Sequence, residues 1–514
     1  MTEAEALATQ MRSSPQILIV GAGPTGLVLA LVLTRRGVPF RIVAKGSGPG
    51  EASRAMVLQA RTLEFYAQLG IADDVVDRGV RMEAAHLIEG GREAVSLSLR
   101  DIGAGMSPYP FALCFPQDDH ERVLVDRLAS LGVEIEWNTE LTSFEQDGDG
   151  VRAVLRQGGA DEVCEAAYLC GCDGAHTIVR PRLGIGFPGG TYDQLFYVAD
   201  VALDAPPTGD LVMHLGERSL VMRLPVRSTG RHRLIGIVPP DLQGRDRIGF
   251  EDVRSSAEAL LGIRVLETTW FSTYRVHHRV ADRFRAGRAF LAGDAGHLHS
   301  PAGGQGMNTG IGDAVNLSWK LAEVVSGRAD PSLLDSYESE RLPFARWLIE
   351  RTDRAFQAMV GRGWTSDVLR RWLLPHLAPV ATSLPAVRRA LFATLSQTWI
   401  TYRGSAPSEG GTGEIRGGDR LPWTGDNYAS LAGMAWRLHV YGDADPAFAA
   451  AAEDLGLDLD RFAWTDQAAR AGLSRDAAYL VRPDGHVGLA SPEQDPAALR
   501  RYADRLGLTF SPVR

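Results

Sequence analysis

The sequence predicts an α/β protein in three parts. These are an α/β domain that opens on a strand and a glycine turn, an antiparallel-sheet domain set within it, and a small α/β unit at the C-terminal end. Three observations carry that reading. Gln16–Arg36 runs strand, glycine turn, helix, and a second strand follows over Pro39–Ala44. From Tyr197 the apolar residues alternate, in Tyr197–Leu203, Leu211–Leu215, Ser219–Leu224 and Arg233–Val238, with turns such as Gly216-Glu217-Arg218 between them. A Gly-, Ser-, Pro- and Glu-rich stretch, Gly404–Gly418, marks a boundary before the last unit.

Composition bounds the function. At 514 residues the chain has room for about three domains. Its 54 basic and 63 acidic residues leave a net charge of −9. No basic block is present, which argues against nucleic acid or an anionic membrane as partner. The uncharged run Gln16–Thr34 contains glycines and Pro24, which suit a nucleotide turn better than a membrane span. Residues 1–15 place two Glu before the first Arg and lack a cleavage site, so they read as a short disordered tail rather than a signal peptide. Cys114, Cys164, Cys170 and Cys172 complete no zinc pattern and no disulfide framework. They are expected to be buried thiols of a reduced, cytoplasmic protein.

In chain order, Gly21, Gly23 and Gly26 form G-x-G-x-x-G after an apolar strand and at the start of a helix, with Pro24 and Thr25 in the turn. The first Gly makes the turn, the second lets backbone approach a pyrophosphate, and the third lets helix and strand pack closely. An acidic residue should end the second strand to bind a ribose hydroxyl. Ala44 stands there instead, followed by Lys45, which meets either a phosphate or solvent. Gly46–Pro49 is a loop, Arg54 sits at its junction with a helix over Ala55–Leu69, and residues 85–111 are strand-like. Gln117 leads into a helix over Asp119–Leu131. Val133–Trp137, Leu141–Gln146 and Val151–Arg156 read as strands, as does Tyr168–Cys172, which runs into Asp173-Gly174. An Asp at the C-terminal end of a strand in such a sheet stands where ligands bind; an Asx-turn is its ordinary role.

In the alternating sheet, Met213, Leu215, Leu220, Met222 and Leu224 share one face, which either packs on core or roofs a pocket, while His214 and Arg223 take the other. Gly287–Ala322 is the second informative stretch. It holds a buried strand, then Gly293-Asp294, then Pro301, Gly303, Gly304, Gln305 and Gly306, and a helix from about Asn308 to Val325. A helix N-terminus behind glycines suits a group that becomes negative during reaction. His297 and His299 lack a third metal ligand nearby, so no metal site is expected. Helices over Ser336–Phe356, Ser366–Trp372 and Leu384–Leu395 follow. The clearest piece beyond the linker is a hairpin over Ala478–Leu489 turning at Pro483-Asp484-Gly485, then a helix over Pro496–Leu506.

These three ordered motifs resemble the class A single-component flavoprotein monooxygenases, above all the phenol hydroxylases and aromatic polyketide hydroxylases, over the whole chain. The resemblance implies a Rossmann-like FAD-binding domain of GR2 type, an antiparallel-sheet substrate domain and a thioredoxin-like C-terminal domain. Their expected extents are 16–84, 112–184 and 276–400 for the first, 85–111 and 185–275 for the second, and 401–514 for the third. The last contains no Cys, so it carries no redox role. By the same resemblance Gly21, Gly23, Pro24, Thr25 and Gly26 hold FAD pyrophosphate, with Arg54 and Gln117 also at FAD. Leu141 meets adenine through its backbone, Asp173 serves FAD and NAD(P)H, and Asp294 binds the ribityl hydroxyls. Pro301 lies over the flavin, and Gly304, Gln305, Gly306, Met307 and Asn308 cradle its pyrimidine edge. Ala44 departs from the family's Glu and puts ribose binding in question.

The expected activity is NAD(P)H-consuming hydroxylation of a phenolic or polycyclic aromatic ring, with NADPH or NADH bound transiently and O2 consumed through a flavin C4a-hydroperoxide. Met213 and Met222 are the substrate-side residues. No catalytic base stands out, with His214, His278 and Tyr274 available. Baeyer–Villiger or ring-rearranging oxygenation is the alternative, and non-catalytic flavin binding a more remote one. The chain is expected to be a monomer or homodimer.

Overall fold

The structure, a computed structural model, describes residues 15–50, 55–206, 208–216, 219–227, 229–245, 247–300, 302–360 and 384–510. Arg54, Pro301, the tail at 1–14 and the helix expected over Ser366–Trp372 lie outside them.

Ile17–Val20 is apolar throughout because both its faces are covered, as in a parallel strand packed between layers. It lies between Tyr168–Gly171 and Phe40–Val43 in a five-stranded sheet of order Arg285–Ala286, Ala289–Leu291, Tyr168–Gly171, Ile17–Val20, Phe40–Val43, parallel except at its first strand. The helices Pro24–Arg35, Gln117–Ser130 and Gly306–Val325 pack beside it. A separate antiparallel sheet joins Thr139–Gln146, Val151–Gln157 and Ala160–Ala166.

The alternating segments belong to an eight-stranded sheet. Its order is His297–Leu298, Val265–Val280, Gly189–Leu203, Arg231–Ile237, Leu220–Val226, Leu211–Leu215, Ala84–Glu89, Arg92–Ser98. Only Leu211–Leu215 and Ala84–Glu89 pair in parallel. Strand parity separates the two faces. Tyr197, Ala199, Val201, Val221 and Leu234 pack under the helix Phe250–Leu261. Phe196, Val198, Leu220, Met222, Leu224, Ile235 and Tyr274 look the other way, towards Met56, Val57 and Phe392.

The last unit is a six-stranded sheet in the order Ile415–Arg416, Glu409–Thr412, Val487–Ser491, Ala478–Val481, Arg437–Tyr441, Leu459–Phe462. It shares an apolar core with Trp319 and Leu333, so it is fastened to the helix Gly306–Val325. Among the described residues no helix is long and apolar enough to cross a membrane.

Several elements differ from expectation. The helix expected over Ala55–Leu69 begins at Ala60, because Val57–Leu58 is captured as a strand by Leu113–Cys114. Val133–Trp137 makes only a bridge from Glu136 to Val43, since the helix before it delivers the chain to the sheet edge for one residue. The alternating strand expected at Tyr197 starts at Gly189, and Val265–Val280 runs straight through the domain boundary placed at 275. Gly404–Gly418 is not a free linker: Glu409 and Gly410 pair with Leu489 and Ala490, making it the edge of the C-terminal sheet.

Candidate active site

Three parallel strands end side by side, and their C-terminal ends deliver Gly21, Asp173 and Gly293-Asp294 to one rim. That rim is where an open α/β sheet binds ligands. At Gly21 φ is +106°, and a Cβ there would collide with the carbonyl of Cys172. A Cβ at Gly26 would fall on the Gly21 carbonyl oxygen. Gly23 is different: a Cβ there would have no atom within 4 Å. The first and third glycines are therefore demanded by packing, whereas the second leaves open space at the N-terminus of the helix Pro24–Arg35. That helix has no side-chain cap and no acidic residue in its first turn, so its N–H groups and dipole remain available to an anion.

Thr25 binds the rim together. Its side chain fills the places a Cβ would take on Gly293 and Gly310, which brings the first helix, the Gly293-Asp294 turn and the helix Gly306–Val325 into contact. Beneath the turn, Asp313 is fully buried. It accepts from Gly293 N at 3.0 Å, pairs with His297 Nε2 at 2.7 Å and accepts from Arg341 Nε at 2.6 Å. Burial would raise the Asp313 carboxyl, and the Arg341 and His297 charges outweigh it and hold it below the ordinary value. His297 is thus part of a carboxylate network under the turn. Asp294 itself is exposed on the rim.

The loop before the second helix carries positive φ at Gly303 (+78°) and Gly304 (+63°). Its side chains turn into the protein. Asn308 Nδ2 donates to Val57 O and Gly304 O at 2.8 Å each, and its Oδ1 accepts from Gln59 N at 2.9 Å and Thr62 Oγ1 at 2.7 Å. Gln305 donates to Leu395 O at 2.8 Å. These side chains are spent on holding the loop, and the backbone N–H groups at Gly306 and Met307 open a helix with no side-chain cap and no acidic residue in its first turn. The His299 ring packs 3.4 Å from where a Gly306 Cβ would stand. Burial pushes that imidazole down to about 4, so it is neutral near pH 7.

Asp173 is half-buried. Its Oδ2 accepts from Ile178 N at 2.9 Å, while Oδ1 has no partner among the described residues. Burial raises its carboxyl despite the hydrogen bonds from Thr177 and Ile178. At the other end of the rim, Ala44 N donates to Glu136 O and Ala44 O accepts from Thr139 N, both at 2.9 Å. This ladder sets buried Leu141 in the strand that continues from there. Lys45 is exposed and pairs with Glu140 at 2.8 Å. Gln117 Oε1 accepts from Ala55 N at 3.4 Å and its Nε2 donates to Glu121 Oε1 at 2.8 Å, while Glu121 accepts from Gly50 N at 2.7 Å. Gly50 and Ala55 are both fixed by this pair.

The inner face of the eight-stranded sheet stands against the same loop. Val57 lies 3.0 Å from where a Gly304 Cβ would be, and it packs in the cluster that holds Met222, Trp270, Tyr274 and Phe392. Met213 and Met222 are cross-strand partners on that face, both half-buried. Tyr274 is there too, with Phe196 ring-to-ring at 5.8 Å, and His278 stands 4.7 Å from Tyr192. His214 lies on the opposite face against Leu260, which removes it as a base at this site.

Residues 14–352 match the family described as FAD binding domain. The 6-methylpretetramide 4-monooxygenase of Streptomyces rimosus is 39% identical over 410 residues, covering 78% of this chain and 72% of that protein. The chain belongs to the class A FAD-dependent aromatic monooxygenases. Among solved structures, the aromatic hydroxylase CabE from angucycline biosynthesis superposes on the monooxygenase with a TM-score of 0.79 at 29% identity, over 98% of this chain and 100% of that one. The Diels-Alderase PyrE3 of pyrroindomycin biosynthesis superposes with a TM-score of 0.74 at 30% identity, over 97% and 100%.

The described residues fit such a dinucleotide. Gly23 leaves room where a pyrophosphate would approach, two uncapped helix N-termini meet at Thr25, and the glycine loop keeps its side chains out of the way. Sequence reasoning missed the Asp313–Arg341–His297 support and the role of the Asn308 side chain. Both depend on partners too distant in sequence to leave a local signal.

Proposed function

We propose that this monooxygenase uses NADPH or NADH and O2 to hydroxylate a phenolic or polycyclic aromatic, polyketide-like substrate. The observation that carries the proposal is the glycine loop Gly303–Gly306 standing against an apolar sheet face rich in Tyr274, Trp270 and Met222. When bound, FAD supplies the electron transfer and oxygen activation that no side chain offers.

In this reading Gly21, Gly23, Pro24, Thr25 and Gly26 hold the pyrophosphate on the first helix N-terminus. Asp294 meets the ribityl chain, and Asp173, Arg54 and Gln117 close the rim around the cofactor. Leu141 meets adenine through its backbone, and with Ala44 in place of an acid the ribose is left to the neighbouring backbone and the Lys45–Glu140 pair. Gly304–Asn308 and Pro301 surround the flavin ring, and the helix dipole behind Gly306 favours negative charge on it. Met213 and Met222 line the substrate side and adapt to a flat ring through their flexible thioethers. Tyr274 and His278 share that face, where the His278 imidazole accepts a phenolic proton and the Tyr274 hydroxyl hydrogen-bonds the phenolic oxygen. The domains take the GR2-type, substrate and thioredoxin-like roles set out above, with the last serving as an interface.

The test is the visible spectrum of the purified protein, followed by NAD(P)H oxidation with a panel of phenols and polycyclic quinones. A yellow protein, substrate-stimulated oxidation and a product heavier by one oxygen support the proposal. A protein that cannot be reconstituted with FAD sinks it. Ring connectivity of the product separates hydroxylation from Baeyer–Villiger insertion. The likeness to a Diels-Alderase favours a second reading, cyclisation on a flavin scaffold, whose product keeps the substrate's mass.

A further inference from the structure

Four described helices end on a residue in the left-handed conformation. Three of those residues are glycine: Gly70 (φ +72°), Gly262 (φ +67°) and Gly507 (φ +59°). The fourth is Gln397, at φ +61° and ψ +17°, closing the helix Pro385–Ser396. A side chain of that size disfavours this conformation, and glycine or asparagine is the usual solution. A glutamine kept there has another use.

That use is visible. Gln397 is buried, and its Nε2 donates to Gln305 Oε1 at 2.6 Å and to Thr309 Oγ1 at 3.0 Å. Gln305 is itself buried, and its Nε2 donates to Leu395 O at 2.8 Å and Gly303 O at 3.2 Å. Gln305 is the residue from which the helix Gly306–Val325 starts. The turn at Leu395–Gln397 therefore clasps the glycine loop from one side, while Asn308, through Val57 O and Gly304 O, holds it from the other. The helix that carries Gln397 also carries Leu391 and Phe392, which pack in the cluster of Met222, Trp270 and Tyr274.

We infer that Gln397 is a positioning residue: through Gln305 it sets the backbone of Gly303–Asn308 against the flavin edge, and its helix ties that loop to the substrate wall. The inference rests on the proposed function above for what the loop holds. The clasp itself rests only on the distances given.

Gln397→Asn and Gln397→Gly test it, because both residues suit a left-handed cap and neither reaches Gln305. Hydrogen–deuterium exchange of the Gly303–Asn308 amides is compared in the FAD-loaded variants and parent, together with the position of the first visible flavin band and the flavin midpoint potential. The expected result is an unfolding temperature equal to or above the parent's, FAD retained, exchange in the loop about tenfold faster, and a shifted band and potential. Combined with Gln305→Ala, Gln397→Asn adds no further acceleration. Loop exchange, band and potential all equal to the parent's, with FAD bound, overturn the inference and leave Gln397 as a cap. If the parent takes up no FAD the proposed function fails. The exchange comparison on the FAD-free protein then still decides the clasp.

Discussion

Glu340→Gln replaces one carboxylate oxygen in a junction with no access to water. Glu340 accepts from Arg482 Nη1 and Nη2 at 2.8 and 2.9 Å, from Lys320 Nζ at 2.7 Å, from Asn316 Nδ2 at 2.6 Å and from Ser405 Oγ at 2.6 Å. The Glu340, Lys320 and Arg482 side chains are all 0% exposed. Burial alone would raise the Glu340 carboxyl. The Arg482 and Lys320 charges outweigh it and hold it down at about 2 against an ordinary 4.5. That difference corresponds to about 3 kcal/mol. Because the folded value is the lower one, this stability is complete above pH 4.5 and is lost as the pH falls towards 2. At pH 7 the amide is expected to cost about 3–5 kcal/mol, since it leaves two buried cations short of an anion. Urea unfolding followed by tryptophan fluorescence reports it, with Trp319, which donates to Asp484 Oδ2 at 3.1 Å, as a local probe. Removing Lys320 as well, in Glu340→Gln with Lys320→Met, should recover most of the loss, because Arg482 keeps Asp484 as its counter-charge. A single-variant loss below about 1 kcal/mol, or a double variant no better than the single, refutes the reasoning.

The glycine turn separates fold from ligand. Gly26→Ala, whose Cβ meets the Gly21 carbonyl, should lower the unfolding temperature of the FAD-free protein. Gly23→Ala, with open space in the protein, should leave that temperature unchanged while weakening FAD binding, as read by flavin fluorescence. Buried neutral histidines make the chain acid-labile: burial pushes His120 and His439 down to about 3 and His299 to about 4. The unfolded chain takes up protons below pH 6.5 that these groups refuse, so stability falls as pH drops from 6.5 towards 4. His120→Gln should flatten that slope in a pH series of unfolding midpoints. Met222→Trp, which fills the half-buried inner face, should leave FAD binding intact and raise KM for bulky polycyclic substrates more than for a simple phenol.

What was legible in the sequence was what local rules govern. The Ile17–Val20 strand and its glycines announced a ligand rim because the motif itself is local, spanning strand end, turn and helix start, even though the Gly21 constraint comes from distant Cys172. The Met213–Met222 face was legible from parity, though not its role. What escaped depends on pairing across the chain. Val57–Leu58 reads as helix until Leu113–Cys114 claims it. Gly410 reads as linker until Ala490 pairs with it. Gly304–Asn308 reads as a cradle, and nothing local tells that its Asn308 and Gln305 side-chain amides are engaged by Gln59, Thr62 and Gln397. Nothing near Gln397 in the sequence marks it as the partner of a loop some ninety positions earlier.

The hairpin that presents Arg482 and Asp484 also bears on how the protein is made. Trp319 and Glu340 sit on helices synthesised long before residue 482, and each has a partner on the late hairpin, Asp484 for Trp319 and Arg482 for Glu340. Arg61 and Glu64, on a helix made earlier still, likewise wait for Asp484 O and for Arg420. Until those residues leave the ribosome, the Lys320–Glu340 and Arg61–Glu64 pairs lack part of their hydrogen bonding and cannot be fully buried without penalty. The helix Gly306–Val325 thus becomes a finished surface only when the C-terminal sheet closes on its far end. In a chain stopped before Arg482 the Lys320–Glu340 and Arg61–Glu64 pairs keep each other but lose the groups that cover them, so the C-terminal sheet completes the first domain rather than standing beside it.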